Sequence, residues 1–165
     1  MRHVVALILV VVVLVLQETL APRIALWDVR PELMVILVVE LAFRLPGLEA
    51  MVWPWAAGLL TDLHEGGPVG VLAFTFGLSA LIIMRLREFF FTESFFVRII
   101  ASAAGVVVTR VALAISGALR GQAPGFMDFL KELVVGTLYT AALAVVVLPL
   151  LTLALGRVLP RRERG

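Results

Sequence analysis

Residues 58–70 read GLLTDLHEGGPVG. The stretch sets Asp62, His64 and Glu65 between two apolar runs, then follows them with Gly66, Gly67, Pro68 and Gly70. Two readings compete: a cluster of ligating or catalytic groups, or a tight corner joining two helices in lipid. Glycine reaches positive φ at little cost, and proline fixes its own φ and ends a helix, so this composition predicts a corner. Asp62 and Glu65, three apart, share a helix face, whereas His64 points elsewhere. A metal site needs three or four converging ligands. The only other histidine, His3, is predicted at the opposite end of the molecule, so no metal site is expected. The apolar runs on either side decide what the corner joins.

The chain has 165 residues, 62% of them apolar and 16% charged, with a mean hydropathy of +1.09. Soluble domains are about 45–50% apolar and about 25% charged, so the bilayer is the expected solvent. There is no cysteine, which excludes a disulfide framework, a thiol nucleophile and a cysteine-based zinc site. The net charge is +2, and the arginines are scattered or terminal rather than interleaved with aromatics. Nucleic-acid binding is therefore not expected.

A membrane-crossing helix takes about 20 predominantly apolar residues. Six runs qualify or come close: 3–20, 31–44, 49–63, 68–85, 95–117 and 133–157. Continuous apolar runs without period-2 alternation predict helices rather than barrel strands. The fold class expected is an all-α polytopic membrane protein, a six-helix bundle forming a single integral domain over 1–165. The first run resembles a signal peptide, with Arg2 before an apolar core and small residues at 19–21, but Pro22 would follow the cut. It is read as an uncleaved anchor. Arg2, Arg44, Arg85, Arg87 and the basic tail at 158–165 share one side and outnumber the basic residues opposite. That asymmetry predicts both termini in the cytoplasm. Residues 118–132 predict a breaker-rich loop followed by a short amphipathic helix at the outer interface. Pro149 is expected to kink the last helix. Phe89, Phe90, Phe91, Phe95 and Phe96 form an aromatic belt on the cytoplasmic side and Trp27 an anchor on the other.

Two charges fall inside apolar runs. Arg110 would cost about 2.5–3.5 kcal/mol on insertion scales unless paired or hydrated. Counting about 1.5 Å per residue from the cytoplasmic ends of their helices puts Arg110 and Asp62 at the same depth, about 18 Å. A pairing of the two is expected, with snorkelling of Arg110 to headgroups as the alternative. Glu40 stands four residues before Arg44, the favourable order for an i,i+4 pair. Structural pairing, contact with a partner and a proton relay remain open for it. Small residues form stripes at Ala101, Gly105, Thr109 and Ala112 and at Gly136 and Thr140, spacings that allow close helix contact. No constellation resembles a catalytic site, and no cofactor is expected.

Three segments in order, PELMVILVVELAFR, GLLTDLHEGGPVG and RLREFFFTESF, resemble the bacterial rod shape-determining MreD family over roughly residues 30–100. The match comprises the helix start at Pro31 and Glu32, the helix end from Gly58 to Asp62, the turn at Gly66, Gly67, Pro68 and Gly70, and the basic cytoplasmic loop at Arg85 and Arg87. The resemblance implies a non-enzymatic component of the cell-wall elongation machinery in the bacterial inner membrane. Its implied partners are MreC, a RodA-type glycan polymerase with its penicillin-binding transpeptidase, the MreB assembly and membrane lipids. Asp62 and the turn after it would then form an outer interaction patch. The family is also similar in fold to the substrate-binding S components of energy-coupling-factor transporters. That supplies an alternative: a small-molecule-binding subunit with an outward pocket near Asp62.

Overall fold

The computed structural model describes residues 2–25, 27–66, 69–89 and 94–156. Six helices run in order: α1 (Arg2–Leu20), α2 (Leu33–Arg44), α3 (Glu49–Glu65), α4 (Val71–Phe89), α5 (Phe95–Leu119) and α6 (Phe126–Gly156). No extended strand occurs among the described residues. By length and composition α1, α5 and α6 can each cross a membrane.

The helices alternate in direction. At one end, His3 of α1 meets Glu49 and Trp53 at the start of α3, and Arg44 at the end of α2 meets Thr152 near the end of α6. At the other, Glu18 meets His64, and Glu32 meets Arg110. These are called below the Arg44 end and the Glu32 end. The first helix starts, and the last finishes, toward the Arg44 end.

The organising element is the shortest one. Every residue of α2 is buried, and it packs against α1, α3, α4, α5 and α6. Met34, Ile36, Leu37, Val38 and Leu41 form the centre of the core, with Val10 and Val13 from α1, Val106 from α5 and Leu148, Leu151 and Leu155 from α6 around them. At 12 residues, α2 reaches only about 18 Å, well short of the roughly 30 Å hydrocarbon layer. It does not need to meet lipid, because the other five helices enclose it. The outward faces are apolar instead: Val4, Ile8, Val11 and Val15 on α1, Ile100 and Ile115 on α5, Leu138, Val146, Leu150 and Leu153 on α6. Charged Glu40, Arg44, Asp62 and Arg98 lie inside. An apolar exterior around buried charges is the inverse of a water-soluble domain.

The corner of residues 58–70 closes an α3–α4 hairpin. Gly66 ends α3 with φ +65, the left-handed conformation glycine adopts at a helix C-terminus, and Gly70 opens α4 with φ +102. Gly67 and Pro68 lie outside the described residues. About two turns back, Gly58 faces the α4 backbone so closely that a Cβ there would stand 2.4 Å from the Leu72 carbonyl oxygen and 2.6 Å from Ala73 Cα. The other small-residue positions also make contacts. A Cβ on Gly105 would meet Val35 at 2.8 Å, so α5 lies directly on α2.

One expectation changes in detail. The amphipathic helix expected before the last span is not separate: α6 runs unbroken from Phe126 through Pro149 to Gly156. Its 31 residues extend about 46 Å, longer than the hydrocarbon layer, so one helix supplies both the interfacial turns and the apolar shaft. Glycines and Pro124 confine the break to residues 120–125, which leaves nothing to interrupt the chain after Phe126. Of the aromatic belt, Phe95 and Phe96 are exposed at the start of α5, and Trp27 is exposed in the α1–α2 connection. Phe90, Phe91 and the side chain of Phe89 lie outside the described residues.

Gly58→Ala tests the hairpin contact. The added methyl meets backbone, which cannot rotate away, so the substitution should destabilise the protein by about 1–3 kcal/mol. Thermal unfolding in detergent would measure this, with Gly66→Ala, at an open position, separating close packing from backbone conformation.

Candidate functional site

Charge is buried in two places, one toward each end of α2. Toward the Arg44 end, Glu40 is 0% exposed and holds two guanidinium groups. Arg44, one turn on, gives its Nε to Oε1; Arg98, three residues into α5, gives Nη1 to Oε2 at 2.8 Å. Thr152 of α6 donates its hydroxyl to Oε1 at 3.1 Å, and Arg44 Nη2 reaches the Thr152 carbonyl at 3.4 Å. The guanidinium of Arg98 lies over the Phe43 ring, 5.5 Å from its centroid. Three helices are thus tied through one carboxylate.

The i,i+4 pairing expected for Glu40 is present, but the residue from α5 was not foreseen. The signal was available, since Glu40 lies four residues before the end of α2 and Arg98 three residues after the start of α5. Both are therefore about 5–6 Å from the same end of the bundle.

Toward the Glu32 end the expected pairing is corrected. Asp62 does not serve Arg110. Its carboxylate accepts the backbone N–H groups of Gly70 (2.9 Å), Leu72 (3.1 Å) and Ala73 (3.0 Å), capping α4 from the preceding helix. The unpaired N–H groups at a helix start, with the positive end of its dipole, attract an anion, and the tight corner brings Asp62 to them first. Arg110 instead lies 2.7 Å from Glu32 and 2.9 Å from Glu132. Counting helix rise did not choose the partner.

Side chains from two other helices satisfy the buried start of α2. Thr140 Oγ1 accepts the Glu32 N–H at 3.1 Å, and Gln17 Oε1 accepts the Met34 N–H at 2.9 Å. Tyr139 donates its hydroxyl to the Ile24 carbonyl at 2.6 Å, pinning the connection that carries Trp27 and Asp28 through positive φ. Above this start lies a cavity of about 220 Å³, lined by groups that include Gln17, Glu18, Arg30, Glu32, Glu65 and Arg110 and by apolar Met34, Leu72 and Phe76.

The two histidines do not come together. His64 is exposed and 3.7 Å from Glu18, whereas His3 is at the other end, 3.9 Å from Glu49. Thr61 donates its hydroxyl to the Ala57 carbonyl of its own helix, not to His64. Arg85 is exposed on α4; the side chain of Arg87 and the tail at 158–165 lie outside the described residues.

A six-helix bundle with a lipid-compatible exterior, and charges spent on holding it together, define an integral membrane protein of the all-helical kind. The particular family follows from the sequence profile of the rod shape-determining protein MreD, which matches residues 1–157, and the chain belongs to that family. It is thus a rod shape-determining membrane protein by family. No curated protein and no solved structure matches the chain.

Two substitutions separate the roles of the buried charges. Glu40→Gln leaves Arg44 and Arg98 uncompensated and should cost about 3–5 kcal/mol, the usual penalty for stranding a buried charge. Arg98→Met keeps the Glu40–Arg44 pair and should cost less. Unfolding midpoints would show that order.

For the corner, Asp62→Ala strands three backbone donors and should cost about 2 kcal/mol or more, with Asp62→Asn milder. The double exchange Asp62→Arg with Arg110→Asp should rescue neither single variant.

Proposed function

We propose that the protein is a non-catalytic, multi-pass component of the bacterial cytoplasmic membrane that acts in cell-wall elongation by binding other proteins. On this reading its partner is MreC, within an assembly of RodA-type glycan polymerase, penicillin-binding transpeptidase and MreB, with both chain ends in the cytoplasm. The observation that carries the proposal is the family match over residues 1–157. The physical picture agrees with it. The charged side chains inside the bundle are engaged in packing: Glu40 binds two arginines and Asp62 caps a helix. What remains for contact is the apolar flank and the two rims, where the exposed Phe95 and Phe96 and the exposed Phe126 and Met127 lie. Depleting the protein in a rod-shaped bacterium and imaging new wall synthesis tests the proposal. Cells should round up and lose lateral insertion, and re-expression should restore both; retained rod shape with normal insertion would overturn it. Cross-linking from positions 62–70 and 118–132 should capture MreC.

A second reading draws on one observation, the cavity above the start of α2. There the protein would bind a small molecule, as S components of energy-coupling-factor transporters do. Polar groups from α1, α3, α5 and the α1–α2 connection converge on it, as that reading requires.

A further inference from the structure

The cavity at the Glu32 end has a distinct chemistry. Arg110, the cation at its wall, is already held between Glu32 and Glu132. Two other carboxylates line the space without comparable partners. Among the described residues Glu18 has only the His64 ring as an ion-pair partner, at 3.7 Å and charged when protonated. Glu65 forms no ion pair among the described residues; Glu18 and Asp62, of its own sign, lie within electrostatic reach and act on it more strongly than Arg110 and His64, which act in the opposite sense. Arg30 adds one positive charge at the exposed rim.

Hydrogen-bonding capacity is biased the same way. Thr61 and Thr109 line the cavity and are 1% and 2% exposed. Each hydroxyl proton is already spent on a carbonyl of its own helix, Ala57 for Thr61 and Gly105 for Thr109. Each therefore offers the cavity an oxygen that can only accept. Gln17 adds an amide whose Oε1 accepts the Met34 N–H, and the remaining wall is apolar, with Leu72 and Phe76 prominent. Drug-sized ligands occupy pockets of about 300–1,000 Å³, so a space of about 220 Å³ suits something smaller.

We propose that this cavity binds a small organic cation, an ammonium or guanidinium group on a short apolar stem. The group's N–H donors meet Glu18, Glu65 and the threonine oxygens, and the stem lies against the apolar wall. An anion would face Glu18 and Glu65, and a neutral stem would leave the acceptors unmatched. The proposal rests on the reading of the cavity as a small-molecule site.

Full-length protein in lipid nanodiscs, titrated with butylammonium chloride, butanol and sodium butyrate, tests it by ligand-observed NMR. The expected result is saturable binding of butylammonium, at least tenfold tighter than either counterpart, and at least tenfold weaker in Glu18→Gln/Glu65→Gln. If that double variant loses its gel-filtration peak, Glu65→Gln alone carries the comparison, since its side chain is exposed and makes no ion pair among the described residues. Butanol or butyrate binding as tightly as butylammonium would overturn the cation assignment and leave the small-molecule reading standing. Binding of none of the three would overturn both. Butylammonium binding unchanged in the variant would place it at the lipid surface and overturn the site. The shape role is read separately, by depletion.

Discussion

A carboxylate enclosed by hydrocarbon must find positive charge, and Glu40 finds it twice. The central helix could not stay where it is with an unpaired acid four residues from its end, because isolated buried charge is among the most expensive states a protein can hold. Arg44 comes from the same helix and would have sufficed for neutrality. The second guanidinium, from α5, and the hydroxyl of Thr152, from α6, turn a local pair into a junction of three helices. Apolar contacts alone tolerate sliding; a carboxylate with both oxygens occupied fixes the relative height of α2, α5 and α6. The core side chains of α2 then meet defined neighbours, such as Val35 against the bare face of Gly105.

The brevity of α2 follows from the same enclosure and has a cost at its other end. A 12-residue helix starting inside the bundle exposes its first N–H groups where neither water nor headgroups are assured. Thr140 and Gln17 meet that need from α6 and α1, and Glu32 turns its side chain to Arg110 instead of capping its own helix. Because the helix begins short of that end, space is left above its start, and the polar groups gathered to satisfy it become the wall of that space. The cavity is thus a by-product of how the central helix is terminated, whatever use is made of it.

Much of this was legible in the sequence. Runs of Val, Leu and Ile marked all six helices, with α1, α2, α3 and α5 within two residues at each end, α4 displaced by three to four and α6 starting seven residues earlier than its apolar run, and the glycine–proline corner marked the α3–α4 hairpin. The i,i+4 spacing gave Glu40 with Arg44, since both lie on one helix and no tertiary knowledge is needed. Partner choice between helices was harder. Helix rise fixes depth, so Asp62 and Arg110 were placed at matching heights, but depth is silent about rotation around the bundle. Asp62 went to the nearest donors, the three N–H groups that its own hairpin delivered. Arg110 took Glu32, a residue whose position beside Pro31 marked it only as a helix start. Burial of all of α2 was hidden for a related reason: a helix apolar on every side reads the same whether lipid or protein surrounds it.

How such a molecule can recognise partners in a bilayer follows from where its polarity is spent. Lipid tails are as apolar as Leu and Val, so the flanks of α1, α5 and α6 gain no hydrophobic drive by leaving lipid for another helix. Association there depends on shape fit, while directional selectivity needs polar or aromatic groups that neighbours can reach. The bundle has committed Glu40, Arg44, Arg98 and Asp62 to its own interior, so none of them is on offer. The reachable groups are at the rims: His64 and the open side of Glu65 beside the hairpin, and the turns of α6 around Phe126 and Met127 that outreach the hydrocarbon layer. On the proposed role, a partner would slide along an undemanding flank and be selected at the rim, whose geometry is held by charges it never touches.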